Sequence, residues 1–300
     1  RAPQGAPPAW PPRWRRPTGA ALPPPLRVLH SACTHAGAGQ SGMIQSCDTA
    51  LGYPPWHTAR LEPAPQGARM PYVLPPAAPA SLSVCGSDQR FAVHRIYCVG
   101  RNYAEHAREM GSTGREAPFF FMKPADAVVP VAAGQTGSVP YPSLTNNYHH
   151  ELELVVAMGR GGADIAVDSA LEHVWGYAVG LDMTRRDLQS EAKQKGRPWS
   201  IAKGFDASAP IGPLTPAPQA QGIARAGIAL TVNGSERQKS TIADMIWIVP
   251  EIIAHLSRAW LLAPGDLIFT GTPAGVGAVV RGDLLAGHID GLESLRVKIA

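Results

Sequence analysis

The sequence predicts an α+β fold that is mainly β, with a few helices inserted between strands. Three observations predict it. From residue 92 onward, short apolar or alternating runs recur, and glycine-containing turns separate many of them. Regular β-α-β units, which would indicate a Rossmann or TIM arrangement, do not occur. Helical spacing is confined to a few segments of the chain.

The predicted strands are short and mostly apolar. They cover residues 95–99, 119–122, 151–158, 174–181 and 228–232, and further strands separated by glycine turns fill 266–299. Asn233-Gly234 follows the strand at 228–232 and predicts a tight hairpin there, because both residues tolerate a positive φ.

Three helices are predicted. Residues 102–110 form a short helix that Gly111 ends. Thr184 followed by Asp187 resembles a capping box, so a polar helix is expected over 185–195. A third helix is predicted from the helical spacing of Ile252, Ile253, Leu256 and Trp260.

Residues 1–69 differ in composition from the rest of the chain. They hold seven Arg, no Lys, two acidic residues and 13 of the 30 Pro, and the calculated pI near 9.0 comes from them. Repeated proline and little periodicity predict disorder. A transit peptide is the alternative, but proline would break its amphipathic helix. We expect 1–69 to be a leader outside the native protein, 70–91 a short extension and 92–300 the domain that carries function.

Composition excludes several classes of function. The basic residues of the leader are not clustered on a folded face, so we expect no nucleic-acid partner. No apolar run reaches about 18 residues and no signal sequence is recognisable, which predicts no membrane association and a cytoplasmic location. The four Cys lack C-x-x-C spacing and are expected to be reduced structural thiols.

Glu151 and Glu153 are two apart on a predicted apolar strand, so both side chains project from one face about 7 Å apart. Carboxylates so placed repel unless a cation lies between them. The alternative is an edge strand with one solvated face.

Asp182 ends another apolar strand and adds a third carboxylate. Three carboxylates without Cys form a hard oxygen ligand set, which favours Mg²⁺ first, then Mn²⁺ or Ca²⁺, over zinc. His149 and His150 are possible softer ligands, although we expect them to support the site or lie at the surface.

Other candidate residues have charge or spacing that suits catalysis. His106 and Glu109 lie i, i+3 on the first predicted helix, where the carboxylate would orient the imidazole as a base; a solvated surface pair is the alternative. Lys203 lies in an apolar context, and Arg186 and Gln189 lie i, i+3 directly after Asp182. They suit an anionic substrate, or are ordinary surface charges and ion pairs.

The glycine-rich segment 271–277 lacks the ending of a P-loop. It either presents backbone N–H groups to a carboxylate or forms a tight turn.

Taken together, six ordered motifs resemble the fumarylacetoacetate hydrolase family, over about residues 92–300. They are Gly100-Arg101-Asn102-Tyr103 with His106 and Glu109, Lys123-Pro124, residues 150–154 (HELEL), residues 180–189 (GLDMTRRDLQ), Lys203-Gly204-Phe205-Asp206, and residues 270–277 (TGTPAGVG). Within the family, the compact form and the stretch 97–111 look closest to fumarylpyruvate hydrolases and acylpyruvases.

The resemblance implies a β-roll-like catalytic domain, usually a homodimer. It implies that Glu151, Glu153 and Asp182 bind Mg²⁺ or Mn²⁺ and that His106 with Glu109 belongs to a lid. It further implies that the pyruvate end of the substrate is contacted by Arg186, Gln189, Lys203 and Thr272.

The activity expected from this resemblance is hydrolysis of a carbon–carbon bond in an acylpyruvate, with fumarylpyruvate as the leading candidate. His106, oriented by Glu109, would deprotonate a water that attacks the distal carbonyl, and Lys203 would stabilise the departing enolate. Alternatives are oxaloacetate decarboxylation, isomerisation or hydration of a 2-oxo dienoate, and non-catalytic binding. A substrate with a carboxylate at the far end of its acyl group, as on fumarylpyruvate, would require a cation to bind that carboxylate. The sequence does not choose among Arg101, Lys123 and Arg197 for this role.

Overall fold

The computed structural model describes residues 72–104 and 116–300. Their strands are β1 (Ser81–Val84), β2 (Ser87–Ala92), β3 (Ile96–Gly100), β4 (Phe119–Lys123), β5 (Val128–Pro130), β6 (Thr136–Val139), β7 (Tyr148–His150), β8 (Leu152–Met158), β9 (Val174–Leu181), β10 (Thr184–Arg185), β11 (Ala209–Ile211), β12 (Thr215–Pro216), β13 (Gly227–Val232), β14 (Ser235–Thr241), β15 (Leu267–Phe269), β16 (Gly277–Ala278), β17 (Leu284–Ile289) and β18 (Leu295–Ile299).

Helices are fewer and shorter. The α-helices are α1 (Arg186–Gln194), α2 (Ser200–Lys203) and α3 (Val249–Ala259). The 3₁₀ helices are Ala125–Ala127, Val167–His173, Ala217–Gln219, Ile223–Arg225 and Ile242–Asp244. The predicted α+β, mainly β class is therefore confirmed.

Two sheets build the core. The larger has the order β4-β3-β15-β8-β9-β11-β5, with β12 also paired to β9, and the smaller has the order β14-β13-β17-β18-β6. Leu152 of β8, Val179 of β9 and Leu230 of β13 belong to one buried cluster between them. At Gly287 of β17 an added Cβ would lie 2.6 Å from Leu152 Cδ1, so only glycine permits this approach.

The central strands are close to the predicted ones. The strand β9 has the predicted bounds, whereas β8 begins at Leu152, which leaves Glu151 at the junction between β7 and β8. Every residue of β8 is buried because β15 and β9 flank it on both sides. The alternative of a solvated edge strand is therefore wrong.

The predicted hairpin and two of the predicted helices are confirmed. Asn233 and Gly234 connect β13 to β14 with φ values of 51° and 80°. In α3, the apolar positions Ile252, Ile253 and Leu256 are fully buried. The polar helix is present as α1.

The capping box predicted for α1 is wrong. Thr184 belongs to β10, and its hydroxyl donates to the backbone oxygen of Asp182 instead of capping α1. Asp187 accepts hydrogen bonds from the Thr145 hydroxyl and the Asn146 amide. Thr184 therefore binds a preceding segment rather than the helix end, whereas Asp187 binds the preceding segment and also accepts from the Leu188 amide in the first turn of α1 at 2.9 Å.

Other predictions fall on residues outside the described part of the chain. The leader 1–69 lies outside it, as does the helix predicted over 102–110 beyond Ala104. From the extension 70–91, Leu82 of β1 is fully buried in the core. Cys85 and Cys98 are free thiols. Within 72–104 and 116–300, each helix falls short of the length and hydropathy needed to cross a membrane.

Gln238 connects the two sheets. It is the one fully buried residue of the edge strand β14, and the adjacent Arg237 is an extra residue in the pairing with β13. Its Oε1 accepts from Leu152 N and pairs with His150 Nδ1, both at 3.0 Å. Its amide nitrogen donates to the Thr272 hydroxyl at 2.7 Å and to a backbone carbonyl.

Replacing Gln238 with Ala is expected to lower the free energy of unfolding by about 2–4 kcal/mol, because buried donors and acceptors lose their partners. Urea unfolding followed by circular dichroism measures this change. Gln89→Ala, at an exposed position in β2, is the matched control and should change stability by less than about 0.5 kcal/mol. A cost below about 1 kcal/mol for Gln238→Ala would contradict the bridging role.

Candidate functional site

Antiparallel pairing of β8 with β9 brings three carboxylates together. Leu152 pairs with Leu181, and the Asp182 amide donates to the Glu151 carbonyl at 2.8 Å, so Asp182 lies beside Glu151. Glu153 follows Leu152 as the second residue of β8. The three side chains are buried, and a carboxylate oxygen of each lies within 4.8 Å of the others.

Two of the three carboxylates are paired with buried cations. Lys203 Nζ lies 2.7 Å from Glu151 Oε2 and 2.6 Å from Asp182 Oδ2. Lys123 Nζ lies 2.8 Å from Asp182 Oδ1, and Arg186 forms an ion pair with Glu151. These cations offset much of the cost of burying Glu151 and Asp182.

Glu153 is different, because none of the described residues forms an ion pair with it. Its Oε2 accepts a hydrogen bond from Gly271 N at 2.6 Å. Burial, followed by the charges of Asp182 and Glu151, raises its pKa well above the ordinary value for a glutamate. The charge of Lys203 offsets part of this rise, but no cation of the described residues contacts Glu153 directly.

This arrangement fits a divalent cation. The donor set consists of hard carboxylate oxygens, as Mg²⁺ and Mn²⁺ prefer. Asp182 Oδ1 is buried, and the Lys123 ammonium is its one partner among the described residues, in an ion pair without hydrogen-bond geometry, so this oxygen can still accept another ligand. A cation there would also supply the charge that Glu153 lacks.

Neither neighbouring histidine belongs to the carboxylate cluster. Arg186 Nε donates to His149 Nδ1, and His149 Nε2 lies 2.8 Å from the side-chain oxygen of Asn147. Burial, and then the charge of Arg186, lowers the pKa of His149 to about 4, so its ring is neutral at physiological pH. His150 is held by Gln238. Both rings therefore contact residues next to the carboxylates, His149 through Arg186 and His150 through Gln238.

A cavity opens onto the carboxylates. Its wall contains all four residues that the resemblance assigns to the pyruvate end of a substrate: Arg186, Gln189, Lys203 and Thr272.

These residues are held by hydrogen bonds on the protein side of the cavity. Arg186 Nη1 donates to Gln189 Oε1 at 2.5 Å. The Thr272 hydroxyl accepts from Gln238, which leaves its own proton to donate. Burial opposes the charge on Lys203, but Asp182 and Glu151 raise its pKa above the ordinary value, so it is a cation. Together they offer donors to an anionic ligand.

The glycine-rich segment 271–277 presents a backbone N–H group to a carboxylate, which is the first of the two roles that the sequence predicts for it. Gly271 has a φ of 99°, and an added Cβ would lie 2.6 Å from the Cβ of Asn102. The side chain of Asn102 donates to the carbonyls of Thr270 and Trp247. Asn102 therefore fixes the loop whose amide reaches Glu153.

The sequence interpretation missed some contributors to the site. Gln238 lies in an exposed edge strand, and no pattern marks it. The ring of Phe119 packs edge-on against Trp199 with centroids 5.4 Å apart, and both form an aromatic wall of the cavity. His106 and Glu109, the predicted base and its partner, lie outside the described residues.

Comparison with known proteins agrees with this geometry. The model of the family "Fumarylacetoacetate (FAA) hydrolase C-terminal" matches residues 95–300. The crystal structure of fumarylpyruvate hydrolase from Pseudomonas aeruginosa in complex with Mn²⁺ and pyruvate superimposes with a TM-score of 0.75 at 60% identity, over 77% of this chain and 99% of that one.

Two relatives by sequence carry different names. Fumarylpyruvate hydrolase of Ralstonia sp is 45% identical over 184 residues, which are 61% of this chain and 93% of that protein. Human mitochondrial oxaloacetate tautomerase FAHD1 is 42% identical over 204 residues, 68% of this chain and 90% of that protein. Because the family model spans more than half of the sequence, this chain belongs to the fumarylacetoacetate hydrolase family.

Proposed function

We propose that this protein is a divalent-metal-dependent hydrolase that cleaves the carbon–carbon bond of an acylpyruvate, with fumarylpyruvate as the leading substrate. The observation that carries the proposal is the buried cluster of Glu151, Glu153 and Asp182, which opens into one cavity with Arg186 and Lys203. The cluster suits a cation, and the cavity suits an anionic 2-oxo acid.

The names of the relatives support the choice of substrate. Two similar proteins are fumarylpyruvate hydrolases, and the structure of one contains Mn²⁺ and pyruvate. Pyruvate is the fragment that hydrolysis of any acylpyruvate releases. Glu151, Glu153 and Asp182 would hold Mg²⁺ or Mn²⁺, which supplies Lewis-acid polarisation of the oxygens of a 2-oxo acid.

The chain's own residues bind and orient the substrate. Arg186, Gln189 and Thr272 line the cavity, and their remaining N–H and O–H groups bind the carboxylate and 2-oxo group of the pyruvyl end. Lys203 is a buried cation at the same place, so it stabilises the enolate that develops when the bond to the pyruvyl methylene breaks.

His106 and Glu109 keep the role that the sequence predicts for them. His106 accepts a proton from water, which attacks the carbonyl carbon of the acyl group. The bond between this carbon and the methylene then breaks, so that fumarate and the pyruvate enolate form, and the enolate takes up a proton to give pyruvate.

A second candidate is keto–enol tautomerisation of oxaloacetate, which the name of the human relative favours. It uses the same chelating end of a 2-oxo acid but no attacking water. Assays of the purified protein with fumarylpyruvate, acetylpyruvate and enol-oxaloacetate, with and without Mg²⁺ or Mn²⁺, separate the two. Release of fumarate and pyruvate in equal amounts supports hydrolysis, whereas enol-oxaloacetate conversion alone overturns it. We also propose a homodimer, which light scattering tests.

Glu153→Gln is expected to weaken Mn²⁺ binding by at least about 100-fold, because it removes a charged ligand while the side-chain size is kept. Isothermal titration calorimetry with MnCl₂ measures the affinity. Glu236→Gln removes an exposed glutamate of β14 and should bind Mn²⁺ like the wild type. Equal affinity for wild type and Glu153→Gln would show that the metal binds elsewhere.

His106→Ala is expected to reduce hydrolysis about 10²- to 10⁴-fold, as removal of a general base does, and to leave Mn²⁺ and oxalate binding within about threefold of wild type. Steady-state kinetics and titration calorimetry measure the two effects. His288→Ala, at an exposed position in β17, is the control. A loss of metal affinity in His106→Ala would contradict the assignment of His106 as a base.

A further inference from the structure

The structure distinguishes among the three cations that the sequence left open for a distal carboxylate. Lys123 is buried, and its ammonium contacts Asp182 and backbone oxygens behind the cluster. Arg197 is exposed and lies 3.9 Å from Glu191, and it lines a neighbouring groove rather than the cavity. Only Arg101 of the three lines the cavity that contains the carboxylates.

The backbone holds Arg101 in a costly conformation. Its φ is 57°, in the left-handed region that residues other than glycine, Asn and Asp rarely adopt. On one side, Gly100 ends β3 and pairs with Phe119, where an added Cβ would lie 2.0 Å from the Phe119 ring. On the other side, Asn102 is fixed by hydrogen bonds to Trp247 and Thr270. Such strain at a binding wall indicates a side chain placed for function.

The guanidinium of Arg101 has unused hydrogen-bonding capacity. Nε is buried and has no hydrogen-bond partner in the described part of the chain. The Cζ atom lies 5.7 Å from the centroid of the Phe119 ring, which orients the group without neutralising it. Glu116 lines an adjoining cavity together with Arg101, but the two form no ion pair. A buried donor of this kind is stabilised by an anionic ligand.

Lys193 adds positive charge near Arg101. Positions 186, 189 and 193 have the i, i+3, i+7 spacing of one face of α1, and Arg186 and Gln189 of this face line the cavity. Partial burial, and then the charges of Arg101 and Arg186, lowers the pKa of Lys193. Lys193 is exposed and is not one of the described residues of the cavity wall, but its charge repels those of Arg101 and Arg186, and an anion bound in the cavity would relieve this repulsion.

We propose that Arg101, assisted by Lys193, binds a carboxylate at the far end of the acyl group, so that the enzyme selects acylpyruvates with a terminal carboxylate over those with a neutral acyl group. This specificity rests on the proposed hydrolysis. The carboxylate cluster and Arg186 bind the end common to all acylpyruvates, whereas Arg101 and Lys193 bind the end that differs between substrates.

The test compares fumarylpyruvate, whose acyl group carries a carboxylate, with acetylpyruvate, whose acyl group is neutral. Arg101→Met is expected to lower kcat/KM for fumarylpyruvate about 10- to 100-fold more than for acetylpyruvate, as loss of a charged hydrogen bond would. Lys193→Met should show a smaller difference between the losses of kcat/KM for the two substrates. This difference should shrink at high salt, because the charge of Lys193 is exposed. Arg197→Met is the matched control and should change kcat/KM for the two substrates by the same factor.

A second measurement does not depend on turnover. Calorimetric titration with fumarate should show weaker binding to Arg101→Met than to wild type by a similar factor. Arg101→Lys should recover part of the affinity, since the charge is kept and the planar donor group is lost. Circular dichroism and thermal unfolding verify that each variant is folded.

The outcomes separate the two proposals. Equal losses for both substrates, or unchanged fumarate binding in Arg101→Met, overturn the role of Arg101 even if the wild type hydrolyses fumarylpyruvate. If the wild type hydrolyses neither substrate, the proposed hydrolysis fails, and the fumarate titration alone then decides whether Arg101 binds a dicarboxylate.

Discussion

The candidate site depends on the burial of three carboxylates within 4.8 Å of one another. Each buried ion costs several kcal/mol, and their mutual repulsion adds to this cost. Lys203, Lys123 and Arg186 offset the charges of Glu151 and Asp182, whereas the one contact of Glu153 with a described hydrogen-bond donor is to a backbone amide. Glu153 thus remains a buried carboxylate without an ion-pair partner among the described residues, and a divalent cation bound to the cluster would stabilise its charge.

Both sheets contribute to holding this arrangement. The central pair β8 and β9 sets the register of the carboxylates, while Gln238 extends from the edge of the smaller sheet to the start of β8 and to Thr272. Asn102 positions the loop of Gly271 through its hydrogen bond to the Thr270 carbonyl. The carboxylates and the groups proposed to bind substrate are therefore fixed by separate strands and loops, which would reduce the reorganisation needed when a substrate binds.

Two sets of cavity residues contact the substrate in the proposed function. One set combines the carboxylate cluster with Arg186 and Gln189, which suits the 2-oxo acid found in every acylpyruvate. The other set is Arg101 with Phe119 and Trp199, where charge and aromatic surface occur together. In this proposal the carboxylate cluster contacts the part that all acylpyruvates share, and Arg101 contacts the part that differs between them.

The sequence alone determined the fold class, the central strands β8 and β9 and the hydrolase family, because alternating apolar runs, glycine turns and ordered motifs are local features. It also singled out Glu151, Glu153 and Asp182, since a carboxylate on an apolar strand is costly wherever the strand lies. Only the tertiary structure decided that β8 is central rather than an edge strand, that Gln238 bridges the sheets, and that Arg101 rather than Lys123 or Arg197 lines the cavity. Those outcomes depend on strand pairing and on contacts between residues distant in sequence, which local patterns do not encode.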